Sequence, residues 1–271
     1  MSVKKIYFLA AAAVSALLFT AGACILLNRW QAYRAADEIY EELKEAVEDT
    51  AQRQDSRDER GTGPSEEEAG EAVYIDWERF AGTDCVGFLI LDDIRYPVMQ
   101  AEDNITYLHA LPDGSYNYAG SLFLYADNHS DFSDMNSFVY GHSMADGSMF
   151  GKLERYKDDK YANHLFFVYT PDGYQHTYRI FSVAQTEEGS RAYTYAFEGK
   201  NEIREYLNYM KEISLYPSGP EGSTSSHLVT LSTCDGYEGT SRRLIVQGIE
   251  VRRRKTQDPA SWLHSGYTEI E

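Results

Sequence analysis

The chain reads as a mainly β protein, with one all-β domain following a helical N-terminal region. Three observations predict this. From about residue 73, short runs rich in Val, Ile, Tyr and Phe recur between turn residues. Tyrosine is abundant, at 22 of 271 residues, and aromatics reach 14%, a composition suited to pleated, half-buried surfaces rather than to a disordered acidic chain. One uncharged segment of helical length stands apart near the start.

Taken in order, residues 1–5 form a short basic tail, and residues 6–27, "IYFLAAAAVSALLFTAGACILL", carry no charge. As a helix this run spans ~33 Å, enough for a hydrocarbon core. Lys4 and Lys5 precede it, so the positive-inside rule predicts a cytoplasmic N-terminus, a single-pass cell-membrane anchor and an extracellular remainder. A cleaved signal peptide is the alternative. The apolar run exceeds a usual signal core and charged helix follows directly, which favours an uncleaved anchor. In residues 28–53, Ala35, Ile39, Leu43 and Val47 recur every fourth position, predicting an amphipathic helix that forms a stalk or lies against the domain. Residues 54–72 are charged and rich in Gly and Ser, without hydrophobic period, and read as a linker.

The domain is expected over 73–253, with a tail over 254–271. Candidate strands are 86–94, 96–100, 121–126, 137–141, 165–170, 177–185, 228–234 and 244–251. Eight short strands at this spacing predict a closed or sandwiched all-β domain. Pro171-Asp172-Gly173 reads as a turn, because Pro presets φ and Gly admits positive φ. Over 201–213, Ile203, Tyr206, Leu207, Met210 and Ile213 share one helical face, which reads as packing on the domain.

A net charge of -18 argues against nucleic acid as a partner. The three cysteines, Cys24, Cys85 and Cys234, offer neither a disulfide framework nor a zinc cluster. Cys24 sits in the apolar segment and Cys85 among strand formers, so both read as small hydrophobes. Cys234 differs: it closes the strand of "TLSTCDGYEGTSRRLIVQG", and Arg242 and Arg243 open the next strand across a turn. A thiol needs a base or a cationic setting to react at neutral pH. Arginine stays protonated, so it serves as an oxyanion donor instead. The base should be one of seven histidines: His109, His129, His142, His164, His176, His227 or His264. His142 stands where a strand ends in a Gly-bounded loop, "YGHSMADGSMFGKL", a rim position suited to a cleft. The acids of "DNHSDFSDMNS" lack the glycine and terminal glutamate of a calcium loop, and read as solvated.

The ordered set "YGHSMADGSMFGKL", a late helix, "TLSTC" and "RRLIVQG" resembles the sortases, specifically class B. "VGFLILDDIRYPVMQAEDNITYLHALPDGSYNYAGSLFLYADN" and "YTPDGYQHTYRIFSV" look like further parts of that family, so the resemblance covers about 74–251. It implies an eight-stranded sortase-like β-barrel with a few peripheral helices. It further implies a cysteine transpeptidase without metal or cofactor, in which Cys234 is the nucleophile, His142 the general acid/base and Arg243 the oxyanion donor. Ser232 would assist at the substrate from the face it shares with Cys234. Strand alternation sends Arg242 and Arg243 to opposite faces, and the position of Leu244-Ile245-Val246 favours Arg243. The implied partners are secreted proteins with a C-terminal sorting motif, cleaved after Thr, and an amine of a peptidoglycan precursor. The alternatives are a pilin lysine as acceptor, a cysteine hydrolase without transfer activity, and an inactive binding module.

Overall fold

The computed structural model describes residues 3–44, 47–48, 73–162, 164–217, 219–235 and 240–256. Helix α1 runs Val3–Lys44, and the short strand β1 (Val47–Glu48) pairs antiparallel with β2 (Tyr74–Ile75). The strands β3 (Cys85–Leu91), β4 (Ile94–Met99), β5 (Leu122–Leu124), β6 (Asn136–Tyr140), β7 (Leu165–Tyr169) and β8 (Tyr174–Glu187) follow. Helix α2 (Lys200–Ile213) then precedes β9 (Leu228–Cys234) and β10 (Arg242–Lys255).

All eight expected strands form, and they close into a barrel in the order β10-β8-β7-β3-β4-β5-β6-β9. Closure leaves no unpaired edge, which decides between the barrel and the sandwich. The pairs β4–β5 and β6–β9 are parallel and the remaining neighbours antiparallel. Pro171-Asp172-Gly173 turns β7 into β8, with Gly173 at φ 88° and the Thr170 amide bonded to the Tyr174 carbonyl. β10 runs two residues past the expected end of the domain at 253.

Alternation along the strands sorts side chains between two cores. Val229 and Leu231 of β9, with Leu244 and Val246 of β10 and Val139 of β6, fill the barrel interior. Leu228, Ile245 and Ile249 point outward and pack under α2 through Ile203, Tyr206, Leu207 and Met210. The apolar stripe read from the sequence is therefore the buried face of α2, with Ile213 at its partly buried end. Further along the same two strands, the outward face carries Ser232, Cys234 and Arg243.

Within the segment expected over 28–53, the described residues Ala36, Ile39, Tyr40 and Leu43 pack against the domain. Ala36 and Tyr40 are buried in the main core, and the helix stops at Lys44. The Tyr40 hydroxyl donates to the Gly120 carbonyl at 2.7 Å and lies 3.0 Å from Ser121 Oγ. Its ring meets Tyr96 edge-on at 5.0 Å. The uncharged run 6–27 lies within α1, but the side chains of 6 and 8–12 fall outside the described residues. Among the described residues no helix is long and apolar enough to cross a membrane. The expected linker 54–72 and residues 257–271 of the tail lie outside the described residues as well.

Candidate active site

A cavity of about 440 Å³ opens on the outer face of the sheet β5-β6-β9-β10. Its floor follows from strand register. Phe123 of β5 is opposite Tyr140 of β6, and Tyr140 is opposite Ser232 of β9. Two residues on, Cys234 faces Arg243 of β10 directly. All of these line the cavity, together with His142. The fold thus gathers His142, Ser232, Cys234 and Arg243, drawn from three separate parts of the chain, around one space.

His142 follows the last residues of β6. Gly141 makes that exit possible: a side chain there would collide with Leu122 and Phe150. The His142 backbone carbonyl accepts from the Phe150 amide at 2.9 Å, closing the loop behind it. Its Nε2 lies 2.9 Å from the Leu108 carbonyl. A carbonyl only accepts, so Nε2 bears the hydrogen and Nδ1 is the basic nitrogen of the neutral ring. Tyr118 stacks on the imidazole at 6.1 Å and 5°, and His109 at 5.8 Å and 26°.

Arg242 and Arg243 separate as alternation requires. Arg242 is 62% exposed and donates to Asp235 at 3.3 Å, away from the cavity lining. Asp235 is buried beside Lys157 and Gln185. Burial works to raise its pKa, and the bonds from those two residues outweigh it, so the carboxyl is held below its usual range. Arg243 is 19% exposed and lines the cavity. Its Nη1 donates to the carbonyls of Thr240 at 2.6 Å and Arg242 at 3.0 Å, and its Nη2 to Glu188 Oε2 at 2.6 Å.

Ser232 is buried and shares a 2.8 Å hydrogen bond with the Tyr193 hydroxyl. Burial pushes the Tyr193 phenol up to about 12, against the lowering effect of Ser232. Tyr193 lies nearly parallel to Tyr140 (4°) and Phe138 (20°), so the loop after β8 roofs an aromatic floor. Cys85, by contrast, is buried in a third core cluster, with Phe80 and Phe88, and its thiol is pushed up to about 12 by burial. Among the other histidines, His176 is buried against Glu250, His129 pairs with Asp134, and His264 lies outside the described residues. No group of acids, histidines or cysteines suited to a metal occurs among the described residues.

Three contributors were not legible in the sequence. The Leu108 carbonyl is a backbone atom, and no residue type signals it. Tyr193 is one of 22 tyrosines. Glu188 belongs to "TEEGS", which reads as an exposed turn.

The Sortase domain family model matches residues 92–251. Sortase B of Listeria monocytogenes is 35% identical over 169 residues, covering 61% of this chain and 69% of that protein. This chain belongs to the class B sortases. The family is one of cysteine transpeptidases, and the barrel described above is its fold. The structure of Clostridium perfringens sortase B superposes with a TM-score of 0.58 at 28% identity, covering 62% of this sortase and 94% of that chain. A Staphylococcus aureus sortase B–substrate complex superposes at 0.60 with 26% identity, covering 65% and 86%.

Proposed function

We propose that this sortase cleaves a C-terminal sorting motif of secreted proteins after Thr and transfers the acyl group to an amine of a cell-wall precursor. The observation that supports it best is the direct pairing of Cys234 with Arg243 in a cavity that His142 also lines. Cys234 gives its proton to His142, and the thiolate attacks the Thr carbonyl. Arg243 donates hydrogen bonds to the oxyanion as the carbon becomes tetrahedral. Collapse breaks the C–N bond, and His142 returns the proton to the departing amine. The thioester remaining on Cys234 is an activated acyl donor. An incoming amine attacks it, His142 takes the amine's proton, and the thiolate leaves with an amide formed. Ser232, held by Tyr193, stands beside this path as a polar contact for the peptide.

The acceptor and the location extend the same reading. A sortase B has been solved in complex with triglycine, a peptide with a free amine. We assign residues 6–27 as a membrane anchor with the N-terminus cytoplasmic and the catalytic domain outside. The lack of charge and the preceding Lys4 and Lys5 support this.

The test is a sorting-motif peptide library incubated with the full chain and triglycine. Amide adducts joining Thr to the glycine amine are expected. Release of free Thr acid alone, at saturating triglycine, would make the protein a hydrolase and overturn transfer to an amine.

A further inference from the structure

We infer that Glu188 is the positioning residue for Arg243: it turns the guanidinium so that its unused donors serve the reacting carbonyl. This rests on the functional reading above. A guanidinium has five N–H donors in a rigid planar fork. Both hydrogens of Arg243 Nη1 go to the carbonyls of Thr240 and Arg242, and one of Nη2 goes to Glu188. Among the described residues that leaves Nε–H and the second Nη2–H, on a side chain that lines the cavity. The two carbonyls anchor one end of the planar fork at Nη1. The contact with Glu188 anchors the other end at Nη2, so the fork is held at both ends.

Glu188 is itself well placed to hold that plane. Its amide donates to the Ser241 carbonyl at 2.8 Å, continuing the β8–β10 ladder past Glu187. Gly189, at φ 76°, turns the chain immediately after it, and Thr186 Oγ1 and Ser190 Oγ bond across that turn at 2.7 Å. The carboxylate thus projects from a braced turn on the cavity rim, where Glu188 and Gly189 are lining residues. Its own side chain is 67% exposed, so the ion pair adds little to stability. A contact with small stabilising value that orients an oxyanion donor should act on rate.

The experiment compares the full chain with Glu188→Ala and Glu188→Gln in the peptide–triglycine assay. Loss of orientation in Glu188→Ala should lower kcat roughly tenfold, less than removal of a donor outright, with KM within about twofold. Tm should stay within ~2 °C. Gln keeps an acceptor oxygen, so Glu188→Gln should recover most of the lost rate. Unchanged kcat in Glu188→Ala, a loss confined to KM, or a Gln variant no better than Ala would each overturn the inference. A second readout is independent of activity: the Arg243 Nη–H resonances, identified by their loss in Arg243→Lys. The Nη2–H bonded to Glu188 should exchange with solvent at least several-fold faster in Glu188→Ala, and an unchanged rate would also overturn the inference. A wild-type chain that fails to transfer acyl groups would count against the functional reading, and the exchange measurement would still decide the role of Glu188.

Discussion

Replacing the two neighbouring arginines one at a time separates catalysis from surface charge. Arg243 is mostly buried, lines the cavity and lies opposite Cys234, with two N–H donors not taken by described groups. Losing one oxyanion donor costs about 10²–10³ in kcat, roughly 2.7–4 kcal/mol of transition-state stabilisation. Arg243→Ala should therefore lower kcat at least ~10²-fold. Arg242 donates at 3.3 Å to Asp235 from a side chain that is 62% exposed. Only the Arg242 end of this pair is exposed and its bond is long, so the contact is worth at most about 1 kcal/mol, and the buried Asp235 keeps its bonds from Lys157 and Gln185. Arg242→Ala should leave kcat within about twofold of wild type and cost at most ~1 kcal/mol in denaturant unfolding. Steady-state cleavage of a fluorogenic sorting-motif peptide measures both variants. If Arg242→Ala is the crippled enzyme, or if both retain full rate, the assignment of the oxyanion donor is wrong.

Other perturbations probe separate parts of the account. Cys85→Ala should keep full activity, since the Cys85 thiol is buried and held protonated. In the wild type Cys234 should be alkylated well before Cys85, as peptide mass mapping will show, and faster labelling of Cys85 would contradict its place in the core. Tyr40→Phe keeps the edge-on contact with Tyr96 but strands the buried Gly120 carbonyl, so unfolding free energy should fall by about 1–3 kcal/mol. No loss would mean that α1 does not pack there in solution. Asp93 has a carboxyl that burial works to raise, but bonds from Lys152 and Arg155 hold it at about 2. A lowered folded pKa gives stability that is complete above the unfolded value of ~3.9 and fades as pH falls toward about 2. The Tm gap between wild type and Asp93→Asn should therefore be small but present near neutral pH and vanish across that acidic window. A gap that persists there would refute the ion-pair origin.

Much of the barrel is legible in the sequence because its signals are local. β9 alternates Val229 and Leu231 inward with Thr230 and Ser232 outward, and that period of two fixes both its state and its faces. Alternation also separates Arg242 from Arg243 before any coordinates are known. The cavity is less legible because it depends on pairing between distant segments. Nothing near Cys234 announces that Tyr140 will lie beside Ser232 through a parallel β6–β9 pair. The length of α1 is misread for a related reason: the apolar period through Val47 continues, yet Val47 and Glu48 find a partner in β2 and become strand. Long-range pairing there overrides helical periodicity. Glu188 illustrates the limit, since an exposed-looking acid acquires a role only once β8 and β10 place it against Arg243.

The central claim, that Cys234 carries the acyl group, is tested most directly by intact-protein and peptide mass spectrometry after quenching the full chain in acid during turnover of a sorting-motif peptide without acceptor. The account predicts one added acyl fragment ending in Thr, located on the peptide containing Cys234, released by triglycine and absent in Cys234→Ala. An acyl adduct on any other residue, or cleavage that continues in Cys234→Ala, would contradict it.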